Sequence, residues 1–196
     1  GFTNTPVQVI TDVKFVDGGI SHLAFVKNDG TVWAVGRNFS GQLGDGTTSS
    51  IPVTVPVQMT GVTNAVRAVC LGYNLHRTGA TIILLNDGTV KITGGQGQFT
   101  DSTYTAPATL PGLTNIVDIK GNTYAAYALN VNGEVFSFGK ESTQGVLGLG
   151  AYTGLLTSPT KITFPSTAAP IVALSANNDG VDCLALDENG KVYGWG

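Results

Sequence analysis

The chain has 196 residues, of which 42% are hydrophobic and only 12% charged, and it carries a net charge of −3. No run of 18 apolar residues occurs, so no membrane-inserting helix is predicted. No lysine or arginine cluster supplies the several cationic contacts that a phosphate backbone draws on, so nucleic acid is not an expected partner. Twenty-seven glycines among many threonines point instead to a β-rich protein with frequent turns.

In chain order, a proline-led segment (Pro6–Val9) precedes a short apolar strand, "VKFV" (13–16). Then come "HLAFV" (22–26) and "NDGTVWAVG" (28–36), two strands around an Asp-Gly turn, which is a hairpin signal. The glycine-dense stretch "GRNFSGQLGDG" (36–46) leads to Pro52–Val55 and the strand "AVRAV" (65–69). The series then recurs. "ATIILL" (80–85), "NDGTVKITG" (86–94), Pro107–Leu110 and "IVDI" (116–119) form its second round. "AYALNV" (126–131), "VNGEVFSFG" (131–139), Pro159–Ile162 and "IVAL" (171–174) form the third. "CLALD" (183–187) and "ENGKVYGWG" (188–196) open a fourth.

The turn glycines Gly30, Gly88, Gly133 and Gly190 step by 58, 45 and 57 residues, and Gly36, Gly94, Gly139 and Gly196 keep the same steps. Self-similarity at such a period marks a repeat architecture. The strands before each turn are apolar at successive positions, which predicts sheets covered on both faces. The prolines suit edge strands, where a missing N–H is not required by a neighbour. Four short strands per repeat describe propeller blades. The predicted class is all-β: a β-propeller of four-stranded antiparallel blades. The chain is one propeller segment, with repeats at about 20–72, 73–121 and 122–177 and partial blades at 1–19 and 178–196.

"GRNFSGQLGDG" after a hairpin ending "TVWAVG", together with the ending "KVYGWG" (191–196), resembles the regulator of chromosome condensation repeat. That pattern is a hairpin closing in aromatic-x-Trp-Gly followed by Asn-x-x-Gly-Gln-Leu-Gly-x-Gly. The likeness runs through nearly the whole chain, with departures. "TGGQGQFTDSTYTAP" (93–107) lacks the Gly-Gln-Leu-Gly core, and Val146 replaces the glutamine in "GKESTQGVLGLG" (139–150). The histidine that opens the inner strand persists only as His22, with Ala80, Ala125 and Asp182 at the like positions. The resemblance implies a seven-bladed propeller, of which this chain would supply about half. A half ring leaves apolar blade faces bare, so further blades are expected from a longer chain or a second copy.

Chemistry finds little support. A phosphate loop needs a lysine and a following helix, and "TTSSIPVTVP" (47–56) offers neither. Asp29, Asp87, Asn132 and Asn189 recur at one turn position, as turn formers rather than calcium ligands. His22 and His76 are the only histidines, and His22 sits at a structural strand position. Cys70 and Cys183 lie in apolar runs and read as buried thiols. The carboxylates Asp12, Asp17, Asp45, Asp101, Asp118, Glu134 and Glu141 are scattered. No enzyme, metal or cofactor is expected.

Recognition is expected on loops, where propellers carry function. The variable connections (36–50, 72–80, 94–106, 139–158 and 175–181) hold single aromatics among polar residues: Phe39, Tyr73, Phe99, Tyr104 and Tyr152. These are the candidate recognition residues, suited to protein or glycan contact. The leading expectation is a non-enzymatic binding or structural module of an extracellular or virion-surface assembly, such as a phage tail or adhesin. The alternatives are a cytoplasmic propeller that promotes guanine nucleotide exchange on a small GTPase, and a secreted enzyme inhibitor.

Overall fold

The computed structural model describes residues 4–73, 78–141, 144–151, 153–177 and 180–196, with the backbone alone at Tyr73. Among these residues there are fifteen strands in four antiparallel sheets and no helix. The first blade holds β1 (Val13–Gly18), β2 (His22–Lys27), β3 (Val32–Asn38) and β4 (Ser49–Gln58). The second holds β5 (Ala65–Tyr73), β6 (Thr78–Leu85), β7 (Val90–Gly94) and the two-residue β8 (Ala108–Thr109). The third holds β9 (Ile116–Gly121), β10 (Ala125–Asn130), β11 (Val135–Lys140) and β12 (Leu155–Lys161). The fourth has three described strands, β13 (Ile171–Ala176), β14 (Cys183–Asp187) and β15 (Val192–Trp195). Strands pair in chain order within each blade.

The blades are out of phase with the sequence repeats. "VKFV" is the inner strand of the first blade, paired with β2, and β13 pairs with β14. The three later proline-led segments instead close the blade before them, at its outer strand as the missing N–H predicts, while Pro6–Val9 lies in no described strand. One expectation is corrected here. The counterpart of Pro107–Leu110 and Pro159–Ile162 is Pro56–Met59, not Pro52–Val55. The amides of Met59, Leu110 and Ile162 donate to Val32, Val90 and Val135 at the same ladder position. Val55 sits on the exposed rim, four residues out of register.

The hairpins form where the sequence places them. Gly30 has φ +81°, and a Cβ there would lie 2.2 Å from the Thr63 carbonyl oxygen. Only glycine allows both the turn and the contact with the next connector. Asp29 accepts hydrogen bonds from the Thr31 amide and hydroxyl, which hold its carboxyl below the usual range. Asp87 does the same with Thr89. In the third and fourth hairpins the cap moves two residues earlier, to Asn130 and Asp187.

The core forms in the three seams between successive blades. Ala24 and Val26 of β2 pack toward Ala65, Ala68, Cys70 and Ile83 of the second blade. Ile82 and Leu84 of β6 pack toward Ile119, Ala126 and Ala128 of the third. Tyr127 and Leu129 of β10 pack toward Leu174, Cys183 and Ala185 of the fourth. Alternate residues of β6 and β10 therefore serve two different seams. This is why both strands read as unbroken apolar runs.

Candidate functional site

Within a blade the first and third strands run in parallel, so the turns after β1 and β3, and their counterparts, gather on one side of the sheets. This loop face carries the stretch 36–46 and its two counterparts. Asn38 is fully buried beneath it. Its Nδ2 donates to Asp45 Oδ1 (3.3 Å) and the Thr47 carbonyl (3.1 Å), while its Oδ1 accepts from the Leu43 amide (3.1 Å). One buried side chain thus closes the loop on itself and drops Leu43 into the first seam.

The loop also binds the neighbouring blade. Thr81 Oγ1 donates to the Gln42 carbonyl (2.8 Å), and Thr93 Oγ1 donates to the Gly41 carbonyl (2.8 Å). His22 Nε2 lies 2.9 Å from Thr81 Oγ1. Burial pushes the His22 imidazole down to about 4, so it is neutral near pH 7. A Cβ at Gly94 would meet the Gly79 carbonyl at 2.4 Å and Gln42 Cα at 2.9 Å. A Cβ at Gly41 would likewise lie 2.8 Å from Thr105 Cα and 2.9 Å from the Tyr104 carbonyl oxygen, so Gly41 and Gly94 serve close packing between blades.

In the second blade, where the Gly-Gln-Leu-Gly core is missing from the sequence, Gln98 and Phe99 take over. Gln98 Nε2 donates to the Thr123 carbonyl of the third blade, and Phe99 is fully buried in the second seam. Phe99 is therefore a core residue, a correction to its place among the recognition candidates. Phe39 is half-buried, with the Arg37 guanidinium 5.8 Å from its ring centre. Tyr104 is half-buried and lines a cavity of about 170 Å³ with Asp101, Thr157 and Ser158. Tyr73 has only its backbone described, and Tyr152 and His76 lie outside the described residues.

The inner strands contribute a feature that sequence reading missed. Phe15, Asp17, Arg67, Lys120 and Asn177, one or two from each of the four blades, line a cavity of about 280 Å³ at the inner edge of the sheets. Arg67 pairs with Asp118 at 3.0 Å, Lys120 stands 3.6 Å from the same carboxylate, and Arg67 stacks over Phe15 at 4.9 Å. The only sequence signal was charge inside short apolar strands, "AVRAV" and "IVDIK".

Neither thiol is placed for chemistry. Cys70 and Cys183 are both buried and free, and burial pushes the first well above its ordinary value and the second up to about 12. Among the described residues, no three His, Cys, Asp or Glu side chains converge as a metal site would need.

Four-stranded antiparallel blades, stacked through seams and sharing one loop face, define a β-propeller segment. Residues 29–75 match the Regulator of chromosome condensation (RCC1) repeat. The chain is 27% identical to Protein RCC2 homolog of Danio rerio across 90% of its own length and 40% of that protein. It is 35% identical over 82 residues to the E3 ubiquitin-protein ligase HERC2 of Mus musculus, covering 42% of this chain and 2% of that one. The solved structure of Prp20p from Saccharomyces cerevisiae, described with its binding to Gsp1p and histones, superposes with a TM-score of 0.71 at 20% identity. That match covers 83% of this chain and 41% of Prp20p, and it speaks to fold alone. Residues 29–75 thus match one regulator of chromosome condensation repeat, and the chain spans well under half the length of these relatives.

Proposed function

We propose that this chain is a protein-binding propeller segment that acts inside the cell and docks its partner on the loop face. The observation that carries this is the shared face itself. Loops that differ in sequence between blades are fixed by buried polar anchors, which leaves their outer residues, including Phe39 and Tyr104, on a rigid platform. Prp20p, of the same fold, binds Gsp1p and histones. This favours a protein partner of the small-GTPase type, in the manner of a nucleotide-exchange propeller, over a virion-surface or adhesin role. Such a role finds no support among the relatives. We also infer that further blades adjoin the open ends of the segment.

The test is direct. Gsp1p and core histones are each passed over immobilised chain, and release of labelled GDP from a small GTPase is followed with and without it. Saturable binding that weakens when Phe39 or Tyr104 is changed to alanine is the expected result. Binding unaffected by either change, or absent with both probes, would sink the proposal.

A further inference from the structure

The outer strands β4 and β12 carry a bulge at the same place. In β12, Thr160 faces Ser137 and Leu156 faces Gly139, so Thr157, Ser158 and Pro159 stand opposite Phe138 alone. In β4, Val57 faces Ala34 and Val53 faces Gly36, so Thr54, Val55 and Pro56 stand opposite Val35 alone. Surplus residues of this kind are lifted out of the ladder. Val55, in the middle of the first bulge, is 68% exposed, and Ser158, in the middle of the second, is exposed as well. β12 is the last strand of its sheet, so the outer edge of this segment is not gripped by the ladder.

The second bulge opens "SPTK" (158–161), a serine followed by a proline and, at the third following residue, a lysine. Two of the chain's eight prolines follow a hydroxyl side chain, and the other pair, Thr5–Pro6, has Gln8 at the third place. A kinase cleft takes its substrate as an exposed, extended segment, and each member of the tetrad suits that capture. Pro159 biases Ser158 toward extended backbone and has no N–H to lose from the ladder. Lys161 presents its charge at the surface, where kinases read substrate charge. Its side chain is 57% exposed, and its pair with Glu134 (2.6 Å) is of the exposed, weak kind.

We propose that Ser158 is a phosphorylation site for a proline-directed serine kinase. Ser158 Oγ attacks the γ-phosphorus of ATP. The Oγ–P bond forms as the bond to the bridging oxygen breaks, ADP leaves with the electron pair, and the hydroxyl proton passes to the kinase's catalytic aspartate. The product carries a charge of about −1.5 to −2 at pH 7. It stands at the cavity that Ser158 shares with Thr157, Tyr104 and Asp101. The Asp101 carboxylate repels it there, so the modification disturbs the surface around Tyr104. Phosphorylation thereby weakens docking at Tyr104; this consequence, though not the site itself, rests on the docking reading above.

The folded chain is incubated with ATP and a purified cyclin-dependent kinase, which selects a following proline and a basic third residue. Incorporation is followed by intact mass and peptide mapping. One phosphate per chain, at Ser158, is the expected product. Ser158→Ala and Pro159→Ala should abolish it and Lys161→Ala should slow it several-fold, each with the β-sheet circular dichroism unchanged. No incorporation into the folded chain, or incorporation that persists in Ser158→Ala, would overturn the site. Binding of Gsp1p is then compared for phosphorylated and unmodified chain. Several-fold weaker binding after phosphorylation is expected, and equal binding would overturn the consequence for docking. If Gsp1p ignores the unmodified chain, it is the docking reading that fails, while incorporation still decides the site.

Discussion

The loops 36–46 and 95–107 occupy matching places on successive blades and share almost no sequence, yet they perform one mechanical task. The first uses Asn38 to close the loop, Leu43 to fill the seam, and backbone carbonyls to receive Thr81 and Thr93. The second uses a glutamine side chain to reach the next blade and a phenylalanine to fill the seam. What persists between blades is one large apolar side chain in the seam and satisfied polar groups around it. Buried polar groups are costly when unpaired, so each loop must solve both problems together.

The apolar anchors carry the largest expected effects. Phe99→Ala should destabilise the chain by about 3–5 kcal/mol, and Leu43→Ala by about 2–5 kcal/mol, through lost burial and a residual cavity. Urea denaturation at pH 7 measures both. If Phe99 were a surface recognition residue, its replacement would leave the midpoint unchanged and weaken partner binding instead.

Acid separates the two loops next. Among the described residues, the first is tied to a histidine, through Thr81. His22 titrates at about 4 when folded and near 6.5 when unfolded, so the unfolded chain binds a proton that the folded chain refuses. Its contribution is intact above pH 6.5 and is lost as pH falls toward 4, by up to about 3 kcal/mol. The carboxyls of Asp29, Asp87 and Glu134 are held below their ordinary values and act only at lower pH. Stability measured between pH 6.5 and 4.5 should therefore slope in the wild type and flatten in His22→Gln.

Most of the fold was legible because the hairpin turns carry local chemistry: a capping side chain, a glycine, and apolar strands on either side. The blade order follows from those turns alone. Two things were not legible. The registration of Pro56 rather than Pro52 depends on which residue meets Val32 across the sheet, and a ten-residue strand with two prolines offers both. The Gln98–Phe99 substitute was hidden because it sits two residues closer to its hairpin turn than Gln42–Leu43 does, so a position-by-position reading passes over it. Of the recognition candidates, Phe99 looked like its neighbours in a polar loop. Only the seam beneath it shows that it points inward.

The third loop, 139–150, carries the smallest expected effect. Here Val146 and Leu147 are both buried, and the polar anchoring comes from the blade instead of the loop. Ser137 Oγ donates to the Leu147 carbonyl at 2.7 Å, and Tyr127 Oη and Trp195 Nε1 both donate to the Val146 carbonyl. Ser137 stands two residues before Gly139 whereas Thr93 stands one before Gly94, so Ser137 reaches the loop of its own blade and Thr93 the loop of the preceding one. Ser137→Ala should cost about 1–2 kcal/mol, the net value of one buried hydrogen bond plus the penalty of a carbonyl left unpaired. Thr93→Val should cost more, because its single O–H proton is shared between the Gly41 and Tyr104 carbonyls, both at 2.8 Å, and its loss takes the donor from two loops. The difference between the two, measured in one denaturant series, tests whether a donor shared between two loops holds them more firmly than one directed at a single carbonyl. Equal costs would mean that the apolar anchors alone fix the loops.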